Sequence, residues 1–321
     1  MTGAIEVGDR VVVNTTAVDL ELGSGGEDFV LWNLRNTEAG SPSGGHILKV
    51  RYTPWQLDTI TAESPESPYH DLLADSSSIE NMPVVACSLH SQIAPALAMI
   101  RSLGSSTRLA YLMTDGASLP LAHSDLVAEL REKHLIDTTL SSGHAFGGEL
   151  ECINIFSGLV AARKVAQADV TVVSPGPGIV GTDTPFGHTG MEQGQILSAA
   201  AALDGRPVAA LRVSFADRRP RHRGVSHHSL SALRVAANMP STVAVPKLGG
   251  DKTQLLLDTL EGAGVTERHE VRVADASSTK DVLDRFDLAP ETMGRSFDED
   301  REFFEAAGAA GVVAYEMLTA Q

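Results

Sequence analysis

Residues 83–103 run PVVACSLHSQIAPALAMIRSL. A β-branched run at 84–88 gives way, across Leu89, His90, Ser91 and Gln92, to helical spacing of apolar residues at 93–103. Strand, four-residue loop, helix is the first half of a βαβ unit. The alternation continues downstream. Strands are expected at 109–114, 138–142, 169–174 and 207–214, and helices at 124–134, 150–167, 191–203 and 229–238. Segments 242–246, 255–261, 269–274 and 280–286 keep the alternation going, and a final helix is expected at about 298–318. Short strands separated by long helices imply an α/β fold. The expected form is a mostly parallel, Rossmann-like sheet with helices on both faces.

Upstream of Pro83 the pattern differs. Residues 7–13 read as a turn and a strand, and 28–34 and 46–52 as two more strands. Turns are expected at 23–26 and 41–45. The chain therefore divides into a small β module at 1–52, a connector at 53–82 and an α/β domain at 83–321. The connector carries Pro54, Pro65, Pro68 and many serines, with some order expected around Trp55 and Leu57.

Composition bounds the function. The 321 residues are 43% hydrophobic and 21% charged, which suits a globular chain with a sizeable core. A net charge of −16 argues against nucleic acid as the main partner. No apolar run is long enough to span a bilayer, and the first residues carry no secretory signal. Cys87 and Cys152 both sit in apolar patterns, as reduced, buried thiols do. Together these set the expectation of a cytoplasmic protein without a membrane partner. The acidic surface, the apolar run at 306–313 and the long last helix suggest a homodimer; packing of that run inside its own subunit is the competing account.

The helix-to-strand loops are short and plain, whereas the strand-to-helix loops are long and rich in histidine, glycine and arginine. In a parallel sheet all strand-to-helix loops emerge at the carboxyl edge, where ligands of open α/β sheets bind. The candidate acid–base groups are His90, Asp115, His144 and Glu149, because histidine titrates near neutrality and a carboxylate can fix its tautomer. Gly176, Gly178, Gly181 and Thr182, with Glu192 beyond them, form a glycine-rich loop able to bring backbone close to a ligand. Residues 218–228 hold Arg218, Arg219, Arg221, Arg223, His222, His227 and His228. With Ser226 as a helix cap, Arg221 to Ser226 and the two histidines form the expected anion site.

Sharper motifs fail. Gly176, Gly178 and Gly181 match the dinucleotide spacing, but the chain stays irregular for about ten more residues and Asp204 is badly placed for a ribose, so NAD is disfavoured. No phosphate-loop motif and no nucleophile elbow is present. A divalent metal would have to be assembled from separate loops, with His144, His222 and His227 as candidates. Without diagnostic spacing, hydrogen bonding to backbone or substrate is the preferred role for these histidines.

Several of these stretches carry a family resemblance. They are 9–18, 89–92, 113–117, 142–148, 176–182 and 221–228. The chain resembles the bacterial family known as domain of unknown function 3866 over nearly its whole length. The resemblance implies no reaction. Two functions therefore stand: an enzyme, hydrolase or transferase, acting on a small anionic substrate such as a phosphate ester or nucleotide, or a non-catalytic protein that binds or senses an anionic effector.

Overall fold

The computed structural model describes residues 4–20, 27–37 and 43–320. The turn expected at 23–26, and residues 41 and 42 of the next one, lie outside the described residues. The chain forms two compact units, 1–60 and 61–321.

The first unit is built from two antiparallel pairs. β1 (Val11–Asn14) pairs with β2 (Phe29–Asn33), with a bulge between Val12 and Val13. A short helix α1 (Thr16–Asp19) follows β1. β3 (Ile47–Lys49) pairs with β4 (Leu57–Thr59). The described strands of this module do not join the main sheet.

The second unit opens with α2 (His70–Ala74) and then alternates. In chain order it contains β5 (Pro83–Ala86), α3 (Ile93–Leu103), β6 (Leu109–Thr114), α4 (Asp125–Glu132), β7 (Thr138–Ser141), β8 (Leu150–Glu151) and α5 (Ile155–Lys164). There follow β9 (Val170–Pro175), α6 (Glu192–Ala202), β10 (Arg206–Ala210), β11 (Val213–Ser214), β12 (Gly224–Val225) and α7 (His227–Ser231). β13 (Thr242–Pro246), α8 (Lys252–Gly262), β14 (Glu270–Ala274), α9 (Thr279–Arg285) and α10 (Arg301–Thr319) complete it.

Eight strands make one parallel sheet in the order β14-β13-β10-β5-β9-β6-β7-β8. Every residue of β5, β6 and β9 is buried, as expected for central strands covered on both faces. One face packs α3, α4, α9 and α10, and the other packs α5, α6 and α8. The connections leaving β10 and β5 run in opposite directions, as do those leaving β9 and β6. The sheet thus has two topological switch points, and the loops at both emerge at its carboxyl edge.

Three boundaries depart from the sequence pattern. The helix expected from 150 starts at Ile155, because Asn154 caps it by accepting from Phe156 N and Ser157 N. Leu150–Glu151 instead pairs beside β7 as an edge strand. The strand expected over 207–214 breaks after Ala210. There the side-chain amides of Gln92 and Gln193 take the Ala210 and Leu211 carbonyls, and Val213–Ser214 turns away to pair with Gly224–Val225. The helix expected from 229 starts at His227, capped by Ser226, and widens into a π turn over Ala232–Ala236.

The 306–313 run is buried inside its own chain, so it presents no apolar face to a second copy. Gly308 and Gly311 let α10 settle closely: a Cβ would stand 2.4 Å from Thr279 Oγ1 at the first and 2.4 Å from the Ala96 carbonyl at the second. Among the described residues no helix is long and apolar enough to cross a membrane.

Candidate functional site

His90 leaves β5 at the carboxyl edge. Its Nδ1 meets the Pro175 carbonyl at 3.1 Å and its Nε2 meets Ser124 Oγ at 2.6 Å. A carbonyl only accepts, so Nδ1 carries the proton. Ser124 Oγ already accepts from Val127 N, and its own hydroxyl proton goes to Nε2. Burial pushes the His90 pKa down to about 4. The ring is a neutral clamp joining the loops after β5 and β9 to the start of α4, and both its nitrogens are committed.

The carboxylates sort by the same accounting. Asp115, after β6, accepts the His144 backbone N–H at 2.8 Å and so fixes the loop after β7. Glu149 is exposed; it pairs with Arg131 at 2.8 Å and accepts from Thr139 N at 2.8 Å, tying β7 to α4. Glu192 differs. It opens α6, and its Oε2 is buried without a hydrogen-bond partner, pressed over Gly116, where a Cβ would stand 2.4 Å away. Burial first, then the Asp115 charge, raises its pKa to about 7, against the opposing Thr114 hydroxyl.

The glycine-rich loop folds on itself. Gly181 bridges His188, and Thr182 Oγ1 donates to the Gly187 carbonyl at 2.9 Å. Gly178 takes φ +103°, a backbone state that favours glycine. Gly176 runs against the Ser118 carbonyl, where a Cβ would stand at 2.4 Å.

This loop delivers His188 to the histidines of the next one. His188 stacks on His228 with ring centroids 3.9 Å apart and planes 9° apart. His227 lies 4.4 Å from His228 and 5.4 Å from His188, and His222 sits 4.9 Å and 4.8 Å from His227 and His228. One donor nitrogen from each of His188, His227 and His228 falls within 4.8 Å of the other two. His188 Nε2 donates to the Pro185 carbonyl at 3.2 Å, so its Nδ1 is the bare lone pair. That Nδ1 is buried and unpartnered, and so is His227 Nε2. Gly190 and Gly181 leave the room: a Cβ would crowd His188 Nδ1 at 3.1 Å and His228 Nε2 at 3.2 Å.

The cluster is held neutral. Burial lowers the pKa of all four rings, to about 3 for His222 and about 2 for His228, with the Arg212 cation adding to the effect on each. Neutral imidazole is the form that binds a metal. The group His188, His227 and His228 can hold a divalent ion. His222 is tied to Ser226 Oγ through Nδ1 at 2.7 Å and walls the group, and His144 is not part of it. Arg212 meets His228 Nδ1 at 3.4 Å, a long contact that an ion could displace.

The arginines divide. Arg219 grips buried Asp217 through two bonds of 3.0 and 2.8 Å, and Arg212 and Arg295 lie 3.6 and 3.8 Å from the same carboxylate. Burial would raise the Asp217 pKa, but Arg219 holds it well below the usual range. Arg295 also pairs with Asp300 at 2.9 Å, and Ser214 Oγ meets both Asp300 oxygens. Arg221 pairs with Asp183 at 2.7 Å. Arg218 and Arg223 are exposed. Ser226 caps α7 as its sequence position suggested, accepting from His228 N at 3.2 Å.

A cavity of about 470 Å³ lies elsewhere, lined by Arg234, Glu267, Arg268 and His269 among others. It offers no free imidazole, because His269 spends its nitrogens on Ser241 Oγ and the Leu233 carbonyl.

A family model described as protein of unknown function (DUF3866) matches residues 1–311. The chain belongs to this family. No curated protein and no solved structure matches it. In this DUF3866 chain the sequence picked out His222, His227 and His228 and passed over His188 and Arg212. His188 is legible as a polar residue on a carboxyl-edge loop, whereas Arg212 falls inside the strand expected over 207–214, which breaks after Ala210. Their meeting with His227 and His228 depends on how the 176–188 loop folds back, which no local spacing reports.

Proposed function

We propose that this protein is a divalent-metal-dependent enzyme acting on a small anionic substrate, with the metal on His188, His227 and His228. One observation carries the reading: three histidines each bring a ring nitrogen within 4.8 Å of the other two, and within this group His188 Nδ1 and His227 Nε2 are buried without a hydrogen-bond partner. Three neutral histidines leave coordination positions open for water or substrate, as catalytic zinc sites do. A bound ion there would supply an activated water or polarise a phosphoryl or carboxyl oxygen. Arg221 and Arg223 supply positive charge for the anion. Glu192 opens the helix four residues beyond His188 and titrates near neutrality, which suits an acid–base role. Cys87 and Cys152 are both buried and form no disulfide, which fits a reducing, cytoplasmic setting.

The test is metal content. The purified chain is loaded with zinc, dialysed and analysed by mass spectrometry. About one tightly held ion per chain is expected from a single three-ligand site, and His227→Ala should lose it. Retention of the same zinc by the variant would defeat the assignment. A second reading, a non-catalytic sensor of an anionic effector, is favoured by the density of arginines beside the cluster. It predicts metal and anion binding without turnover of any phosphate ester.

A further inference from the structure

We infer that Arg221 is the residue that takes the anionic group of the ligand, and that Asp183 is a built-in competitor which holds Arg221 until an oxyanion replaces it. The inference rests on the histidine cluster being a ligand site.

The pair joins the two loops that form the cluster. Asp183 lies between Gly181 and His188 on the folded glycine-rich loop, and Arg221 lies beside His222 on the loop that leads to His227. Asp183 Oδ1 takes only Arg221 Nη1, at 2.7 Å, while the buried Arg221 Nε has no partner. A guanidinium in this state is half used. A phosphate or carboxylate could accept from Nε and an Nη together, the paired geometry that arginine favours. Both charges reach the cluster, since Arg221 lowers the His227 pKa and Asp183 opposes it.

The contrast with Arg219 shows why this pair can exchange. Asp217 is buried and takes Arg219 through two bonds, so its loss would strand a charge. The Asp183 and Arg221 side chains are 71% and 34% exposed. Such pairs are weak, and a competing anion need only outbid solvent and one carboxylate. Asp183 also sits at φ +63°. Asparagine tolerates that backbone as well as aspartate does, so Asp183→Asn removes the charge and keeps the turn.

The experiment titrates inorganic phosphate into the full chain by calorimetry, with and without zinc. Asp183→Asn should bind phosphate about five-fold tighter and Arg221→Ala about ten-fold weaker, and the double variant should match Arg221→Ala. Arg221→Lys, which keeps the charge and loses the fork, should fall between wild type and Arg221→Ala. Circular dichroism and melting curves check that each variant folds. Unchanged or weaker binding by Asp183→Asn, unchanged binding by Arg221→Ala, or no phosphate binding by the wild type would each overturn the inference. Zinc content of every variant separates the two claims. Zinc retained without the phosphate pattern defeats this inference alone, and the phosphate pattern without bound zinc defeats the metal assignment alone.

Discussion

His90 and His227 both stand on strand-to-helix loops at the carboxyl edge, and in the sequence they look alike. Their surroundings are opposite. His90 spends both nitrogens on protein groups, a proline carbonyl and a serine hydroxyl. His227 keeps a buried Nε2 with no partner, as His188 keeps its Nδ1. A buried polar atom left unpaired costs stability, so a fold that carries two side by side holds them against a return. Hydrogen-bond commitment, rather than residue type or burial, separates a clamp from a candidate ligand.

The sharpest way to break this comparison is substitution. His90→Ala should cost about 3 to 4 kcal/mol in chemical denaturation, because it strands Ser124 and a buried carbonyl and leaves a gap. His227→Ala should cost under about 1 kcal/mol in the metal-free protein, since it removes an unsatisfied group. Equal losses would erase the distinction.

Acid should act next most strongly. The folded-state pKa of His90, His222 and His228 lies below the usual value near 6.5. The unfolded chain then binds more protons as pH falls, so their contribution is intact above about 6.5 and is lost progressively below it. His90 alone, lowered to about 4, should account for about 3 kcal/mol by pH 4. A flat stability profile between pH 7 and pH 4 would contradict the buried, neutral assignment.

Glu192 should run the other way. Its carboxyl is raised to about 7, so the favourable protonated form is complete below about 4.5 and is lost as pH rises through 7. Glu192→Gln mimics that form. It should stabilise the protein by about 3 kcal/mol at pH 8 and by less than about 1 kcal/mol at pH 5. Guanidinium melts at the two pH values check the sign. The smallest effect is expected at exposed Arg218, where alanine should change stability by less than about 0.5 kcal/mol. Arg219→Ala, which leaves buried Asp217 short of its main partner, should cost several times more.

What could be read beforehand follows from the range of each signal. The buried runs at Leu109–Thr114 and Val170–Pro175 announce central strands, because burial on both faces demands continuous β-branched and apolar sequence. Leu150–Glu151 reads as helix because Leu150, Cys152 and Ile153 merge with the apolar spacing of α5; the Asn154 cap was the overlooked marker. His227 and His228 are legible as a polar pair after an arginine-rich loop. The partners that define their chemistry come from far away. His188 arrives from another loop, and Asp300 joins the arginine network from 86 residues beyond Ser214.

The position of α10 in the chain bears on how the protein is made. It packs on α3, about two hundred residues earlier, and its buried face from Phe303 to Ala314 completes one side of the sheet. During synthesis the apolar surface of α3 and β5 must wait for that segment to leave the ribosome. At about 5 to 20 residues per second the delay is tens of seconds at most and about ten at least. Throughout that interval the nascent chain exposes the kind of surface that chaperones bind, and a translational pause before residue 301 would lengthen its exposure.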